Sequence, residues 1–132
     1  MKQFKYIYLI SGVILFGYFA FLQINDFKQY GNGDAWFWIF VYLLAAVMNL
    51  LPLIYKLPVQ LLTFWVGFSL GSLCFRLQDN AGNFHFDRLH PSSFWDQQTS
   101  QMVQQSNESG GLLILTVWGV ILLLIKGHNL KR

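Results

Sequence analysis

The sequence is poor in the residues that build soluble catalytic or metal-binding sites. It has one cysteine, three histidines and three prolines among 132 residues, and only 11% of its residues are charged. A single cysteine, Cys74, excludes an internal disulfide and any metal site built from several thiolates. Because 55% of the residues are hydrophobic, the composition disfavours a soluble globular domain and indicates a membrane protein.

The short motifs of common enzyme classes are also missing. The sequence contains no His-Glu-x-x-His, no phosphate-binding glycine-rich loop and no dinucleotide fingerprint, and Gly31-Asn32-Gly33 is long enough only for a turn. Two histidines and one aspartate occur as H-x-D-x-x-H over residues 85–90. Because that spacing lacks a fourth ligand, it favours surface histidines with local hydrogen bonds over a metal site. We expect no cofactor, no metal and no nucleic-acid partner.

Four long apolar runs dominate the chain instead. They cover residues 4–22, 35–55, 58–75 and 112–125. A membrane-spanning helix needs about 20 apolar residues, and lipid requires every backbone group to be bonded internally, so the runs predict helices. The first run is too long for the core of a signal peptide and ends in Gln-Ile-Asn-Asp rather than a cleavage site, so we expect it to be retained.

The prediction is an all-α membrane protein, an up-down four-transmembrane-helix bundle in a single integral membrane domain over residues 1–132. The predicted helices cover residues 4–24, 35–55, 58–76 and 107–126. Pro52 should kink or end the second helix early, and Pro58 marks the start of the third. The polar Asn49 should hydrogen-bond between helices, and the small pair Gly67 and Gly71 should allow close helix packing.

Basic residues are distributed unequally between the two ends of the predicted helices. One side carries Lys2, Lys5, Lys56, Lys126, Lys131 and Arg132, whereas the other carries Lys28, Arg76 and Arg88. By the positive-inside rule, both the N- and C-termini are cytoplasmic. We take a bacterial inner membrane as the default location, with the protein as a multi-pass component of the cell membrane.

The extracytoplasmic loop between the third and fourth helices covers residues 77–106 and is longer than a connector requires. Long ordered loops often carry function. Ser93 followed by Asp96 is typical of a capping box, which predicts a short amphipathic helix continuing through Met102 and Val103.

Helix lengths bring several polar residues to one depth. The last apolar run has 14 residues and is too short to span about 30 Å at about 1.5 Å per residue, so its helix must begin earlier and include Glu108. The same count places Asp26 and Arg76 at the same boundary, with Gln23 and Asn25 beside them. Two interpretations remain open: unrelated interfacial charges that reach water, or a polar site in which a carboxylate pairs with Arg76.

Several of these residues resemble the transmembrane protein 220 family. The resemblance rests on Gln-x-Asn-Asp at residues 23–26, on Asp-Ala-Trp-Phe-Trp at residues 34–38 with Tyr42, and on Glu108 before Gly-Leu-Leu-Ile at residues 111–114. In the family pattern the Asn-Asp is followed directly by Pro-Asp-Pro or a similar segment and then by the tryptophan, whereas residues 27–33 intervene here. The resemblance implies a small four-helix membrane protein with no established activity. It also implies the hallmark positions Gln23, Asn25, Asp26, Trp36 and Glu108.

The sequence favours a non-enzymatic accessory or binding component of a membrane assembly, with a polar site at the outer membrane face. Membrane lipids and other membrane protein subunits are the expected partners, because 18% of the residues are aromatic and supply anchors for either. The alternative is a membrane-embedded enzyme, or a protein that binds a small molecule or lipid head group, using Asp26, Glu108 and Arg76.

Overall fold

The computed structural model describes residues 2–30, 35–96, 98 and 101–130. Four α-helices occupy most of them: α1 (Lys2–Tyr30), α2 (Ala35–Leu50), α3 (Val59–Leu77) and α4 (Gln104–Leu130). Each helix contributes to one segment long and apolar enough to cross a membrane, namely Gln3–Asn25, Ala35–Leu53, Val59–Leu77 and Ser106–Lys126. The predicted four-helix, all-α membrane character is therefore confirmed.

The observed helix ends differ from the predicted ones where polar residues continue a helix beyond its apolar run. Helix α1 runs six residues past residue 24, and α4 begins at Gln104, so the last span gains the residues above Leu112 that its length requires. Helix α2 instead ends at Leu50, before the predicted residue 55, and a 3-10 turn follows at Leu51–Leu53. Pro52 is the cause, because proline lacks the amide hydrogen that an α-helix needs.

The chain divides into two compact units, residues 1–58 and 59–132. In the first unit α1 packs on α2. Phe16, Ala20 and Val41 are buried in that unit. The rings of Phe19 and Tyr42 meet edge to face at 5.4 Å between centroids, a favourable aromatic geometry that joins the two helices.

In the second unit α3 packs on α4, and a glycine sets how closely. A Cβ added at Gly119 of α4 would lie 2.9 Å from Val66 Cγ2 and 3.5 Å from Trp65 Cδ1, both on α3. A Cβ at Gly67 or Gly71 would meet nothing within 4 Å in the part of the chain that the structure describes. Neither glycine is therefore a point of close contact between α3 and α4. That Gly67 and Gly71 allow close packing against another helix stays a prediction.

The described residues between α3 and α4, namely 78–96, 98 and 101–103, form a folded segment, here called the cap. It contains an isolated bridge between Gln78 and Phe84, 3-10 turns at Phe86–Leu89 and Pro91–Ser93, and a two-stranded ladder of β1 (Trp95–Asp96) and β2 (Gln101–Met102). In the ladder Trp95 pairs with Met102 and Asp96 with Gln101.

The cap corrects the predicted amphipathic helix: Trp95–Asp96 and Gln101–Met102 are paired strands, not helix. The Ser93 hydroxyl donates to the carbonyls of Arg88 (2.9 Å) and His90 (2.7 Å) instead of capping a helix that follows. Asp96 Oδ1 accepts the amide hydrogen of Gln98 at 2.8 Å. Such local side-chain bonds offer the backbone a turn as an alternative to a helix, and the capping-box spacing did not distinguish the two.

Candidate functional site

Arg76 and Glu108 form an ion pair in the second unit. Arg76 lies in the last turn of α3, and Glu108 lies in the second turn of α4. Arg76 Nη1 is 3.1 Å from Glu108 Oε2. A cation near a helix C-terminus and an anion near a helix N-terminus each complement the helix dipole, so both helix ends favour this pair.

The pair is unequally exposed. The Glu108 side chain is 6% exposed, whereas 31% of the Arg76 side chain is accessible. A buried carboxylate needs a nearby cation to remain charged without a large desolvation cost. Glu108 is thus covered and held by Arg76, while the guanidinium keeps an accessible face.

Arg76 is held at its backbone as well. Arg88 Nη1 donates to the Arg76 carbonyl at 2.6 Å and lies 3.5 Å from the Gln78 carbonyl. The His85 amide donates to the Leu77 carbonyl at 2.8 Å. The last carbonyls of a helix lack partners within the helix, so these donors cap the C-terminus of α3 and fix the position from which the Arg76 side chain extends.

The cap is also anchored on α4. Ser106 Oγ donates a hydrogen bond to Ser93 Oγ at 3.3 Å. The ring of Phe94 packs against Gly110, where an added Cβ would lie 2.5 Å from the ring, so only glycine leaves room for it. Ser106 and Gly110 are four residues apart and share one face of α4, whereas Glu108 points about 200° away from Ser106. The cap therefore anchors α4 on a different face from the one that carries the ion pair.

A second polar cluster organises the beginning of the cap. Asp79 Oδ1 accepts hydrogen bonds from the backbone amides of Ala81 (2.8 Å) and Asn83 (2.9 Å). Its Oδ2 accepts a hydrogen bond from Asn83 Nδ2 at 3.2 Å and lies 3.1 Å from His85 Nε2. The hydrogen bond from His85, followed by those from Asn83, holds the pKa of Asp79 well below its ordinary value. Gly82 has a φ of 85°, which only glycine adopts readily, so this is a specific turn.

The two histidines of the cap make local contacts. His85 lies between Asp79 and Asp87, with Nδ1 3.7 Å from Asp87 Oδ1. His90 Nδ1 is 2.8 Å from Ser92 Oγ. Among the described residues, no group of three or more histidine, cysteine, aspartate or glutamate side chains is placed to hold a metal ion.

The remaining predicted site residues lie in the first unit. Gln23 is buried and Asn25 is exposed near the end of the first span, and Trp36, at the second position of α2, is 73% exposed. Asp26 belongs to α1, but its side chain lies outside the described residues. The structure thus brings Arg76 and Glu108 together, and their convergence with Gln23, Asn25, Asp26 and Trp36 stays a prediction.

Asn49, the polar residue predicted to link helices, is buried in α2. Its Nδ2 donates to the carbonyl of Ala45 at 2.8 Å, one turn earlier in the same helix. This bond satisfies part of the amide within α2. An additional bond from Asn49 to another helix stays a prediction.

Sequence reasoning missed three polar features of the second unit. Arg88 was counted only as a loop charge, although it caps α3. The sequence Asp79-Asn80-Ala81-Gly82-Asn83 carries a usable signal for the turn that Asp79 organises, since aspartate and glycine are typical turn residues. Ser109, whose buried hydroxyl has no hydrogen-bond partner among the described residues, carries no such signal.

Comparison with known proteins confirms the family resemblance. A family model described as "Transmembrane family 220, helix" matches residues 15–124, which is most of the chain. The match includes all the hallmark positions from Gln23 to Glu108. No curated protein and no solved structure matches the sequence.

Proposed function

The chain belongs to the transmembrane 220 family, and from that premise we propose that it is a non-enzymatic binding component of a membrane assembly. Its four apolar helices support a multi-pass membrane protein. We place both termini on the cytoplasmic side and the cap on the outer side, which the excess of lysine and arginine near the termini and at Lys56 supports.

The observation that carries the proposal is the ion pair at the cap end of α3 and α4. Glu108 is covered and orients the guanidinium, and Arg76 remains nearly one-third exposed at the level where both spans end. An arginine at that boundary suits carboxylates and phosphates, because its donors form a rigid fork that can bind two oxygens of either group. We propose that Arg76 binds an anionic group: the phosphate of a lipid head group or a carboxylate of a partner subunit.

The proposal is tested by purifying the protein in a mild detergent and measuring by native mass spectrometry what stays bound. We expect a retained phospholipid or protein subunit whose occupancy falls about tenfold or more in Arg76→Gln, because a hydrogen bond to a charged group contributes roughly 1.5–3 kcal/mol. Arg76→Lys should retain an intermediate amount, since it keeps the charge but not the fork. Lys56→Gln, which also removes one positive charge, is the matched control and should bind normally.

Glu108→Gln separates recognition from a purely structural role. It removes the negative charge but preserves the shape of the side chain and leaves the guanidinium in place, so retention should persist. Equal loss in Glu108→Gln and Arg76→Gln would show that the pair only stabilises the fold. Unchanged retention in Arg76→Gln would also overturn the proposal. Thermal unfolding of each variant identifies losses caused by misfolding.

The alternative, a membrane-embedded enzyme or small-molecule site, requires the Asp26 carboxylate beside this pair. Asp26→Asn distinguishes the two. Under the binding proposal, Asp26→Asn retains the same lipid or subunit as the native sequence. Under the alternative, Asp26→Asn and Arg76→Gln lose the same retained molecule together.

A further inference from the structure

The first part of the cap returns to the end of α3. After the turn at residues 79–83, Phe84 pairs with Gln78, the residue that follows α3. The next amide, that of His85, donates to the carbonyl of Leu77, the last residue of α3. Residues across an antiparallel bridge are about 5 Å apart, so Phe84 and its neighbours lie beside the end of the helix.

The end of α3 coincides with the expected membrane boundary. The span Val59–Leu77 has 19 residues, which at about 1.5 Å per residue cover about 28 Å. A bilayer core is about 30 Å thick, so the helix has no surplus length with which to lift Leu77 into water. The residues bonded to Gln78 and Leu77 therefore lie at the level of the lipid head groups.

Two aromatic rings project from this returning segment. Phe84 is 47% exposed and Phe86 is 66% exposed. Their rings stack 5.6 Å apart at an interplanar angle of 10°, so they form one apolar surface. Exposing such a surface to water is unfavourable, and aromatic side chains are enriched at the boundary between lipid and water.

We infer that the stacked rings of Phe84 and Phe86 insert into the head-group layer of the leaflet at the cap end of α3. Lipid is the occupant that the geometry favours, because the exposed rings belong to a segment that is bonded to Leu77 and Gln78, where the apolar span ends. The nearby charged side chains are Arg76, Asp79, Asp87 and Arg88, two of each sign, so the segment has no excess of positive charge. The interaction is therefore with the zwitterionic interface itself and requires no anionic lipid.

The inference is tested with a fluorescent label in liposomes of phosphatidylcholine alone. Cys74, which is exposed on α3, is first replaced by serine. Phe86→Cys is then labelled with a polarity-sensitive nitrobenzoxadiazole. Asn80→Cys, at the exposed tip of the same turn, is labelled as the matched control. We expect the label at position 86 to emit at shorter wavelength, with iodide quenching reduced about twofold or more relative to position 80.

A nitroxide carried on the lipid head group should quench the label at position 86 more strongly than the label at position 80. Iodide quenching that differs by less than about twofold would overturn the inference, because both sites would then be in water. Protection from iodide without nitroxide quenching would also overturn it, since protein rather than lipid would then cover the rings. If Phe86→Cys fails to fold, Phe84→Cys replaces it.

This inference does not rest on ligand binding by Arg76. The label reports the position of the cap, whereas native mass spectrometry of Arg76→Gln reports recognition. Either result can fail while the other stands.

Discussion

At the scale of single residues, the cap end of the second unit depends on side chains that bond to the backbone groups of other residues. Arg88 donates to the carbonyl at position 76, and Asp79 accepts amide hydrogens from Ala81 and Asn83. These bonds give an otherwise irregular segment a defined conformation, because they replace the ladder bonds that regular structure would supply. Arg76 gains its fixed position from this arrangement.

Asp79 provides a pH prediction. Its pKa is lowered in the folded chain, so its stabilising contribution is complete above the ordinary aspartate value of about 4 and is lost only as the pH falls toward the lowered value. In an NMR titration in micelles, the amide protons of Ala81 and Asn83 should therefore shift with a midpoint well below pH 4. A midpoint at or above about 4 would contradict the bonding described here.

Because the bond from His85 is the largest cause of that lowering, His85→Ala should move the midpoint upward toward the ordinary value. His90→Ala is the matched control, since His90 contacts Ser92 and lies outside the cluster around Asp79. An equal effect of both substitutions would indicate a general loosening of the cap.

At the scale of elements, the second unit consists of two helices whose separation depends on one glycine and whose ends are joined by a folded cap. Gly119 allows contact with Val66 and Trp65, and Gly110 accepts the ring of Phe94. Both are positions where even a methyl group would displace a neighbour. The glycines therefore have packing roles that glycine spacing alone did not indicate.

Gly119→Ala should destabilise the packing of α3 on α4 by about 1–3 kcal/mol, because the new Cβ would lie against the branched side chain of Val66. Gly67→Ala is the matched control on α3: its Cβ would meet nothing within 4 Å in the described chain, so it should be neutral or slightly stabilising. Thermal or denaturant unfolding in detergent measures both. Equal destabilisation by the two substitutions would contradict the assignment of Gly119 as the contact.

At the scale of the whole molecule, the chain consists of two helical pairs, each with its own core, and four spans long enough for a bilayer. Its identity as a family member rests on a pattern that extends through both pairs, from residue 15 to 124. The distribution of lysine and arginine along the chain supports the proposed orientation, in which the cap lies outside and both termini lie in the cytoplasm.

That orientation predicts the accessibility of single cysteines in intact cells. In a Cys74→Ser background, Asn80→Cys in the cap should react with a membrane-impermeant maleimide, whereas Lys56→Cys between α2 and α3 should react only after the cells are opened. Both positions are exposed in the structure, so burial does not explain a difference. The reverse pattern would invert the proposed orientation.

Much of the helical architecture was predictable from the sequence because it depends on local properties. A run of apolar residues of membrane length predicts a helix, and Pro52 predicts where α2 ends, since both effects act within a few residues of the chain. The family was predictable for a similar reason, because short motifs carried it. Helix length also predicted that Arg76 and Glu108 lie at the same membrane boundary, and the structure pairs them.

The sequence by itself determined the existence of four helices, their approximate ends and the level that Arg76 and Glu108 share, because hydropathy and helical rise require no knowledge of neighbours. Only the tertiary structure decided that Arg76 pairs with Glu108, that Gly119 rather than Gly67 or Gly71 meets the facing helix, and that Trp95–Asp96 pairs with Gln101–Met102. Those outcomes depend on helix rotation and on competing hydrogen bonds, which bring together residues distant in the chain.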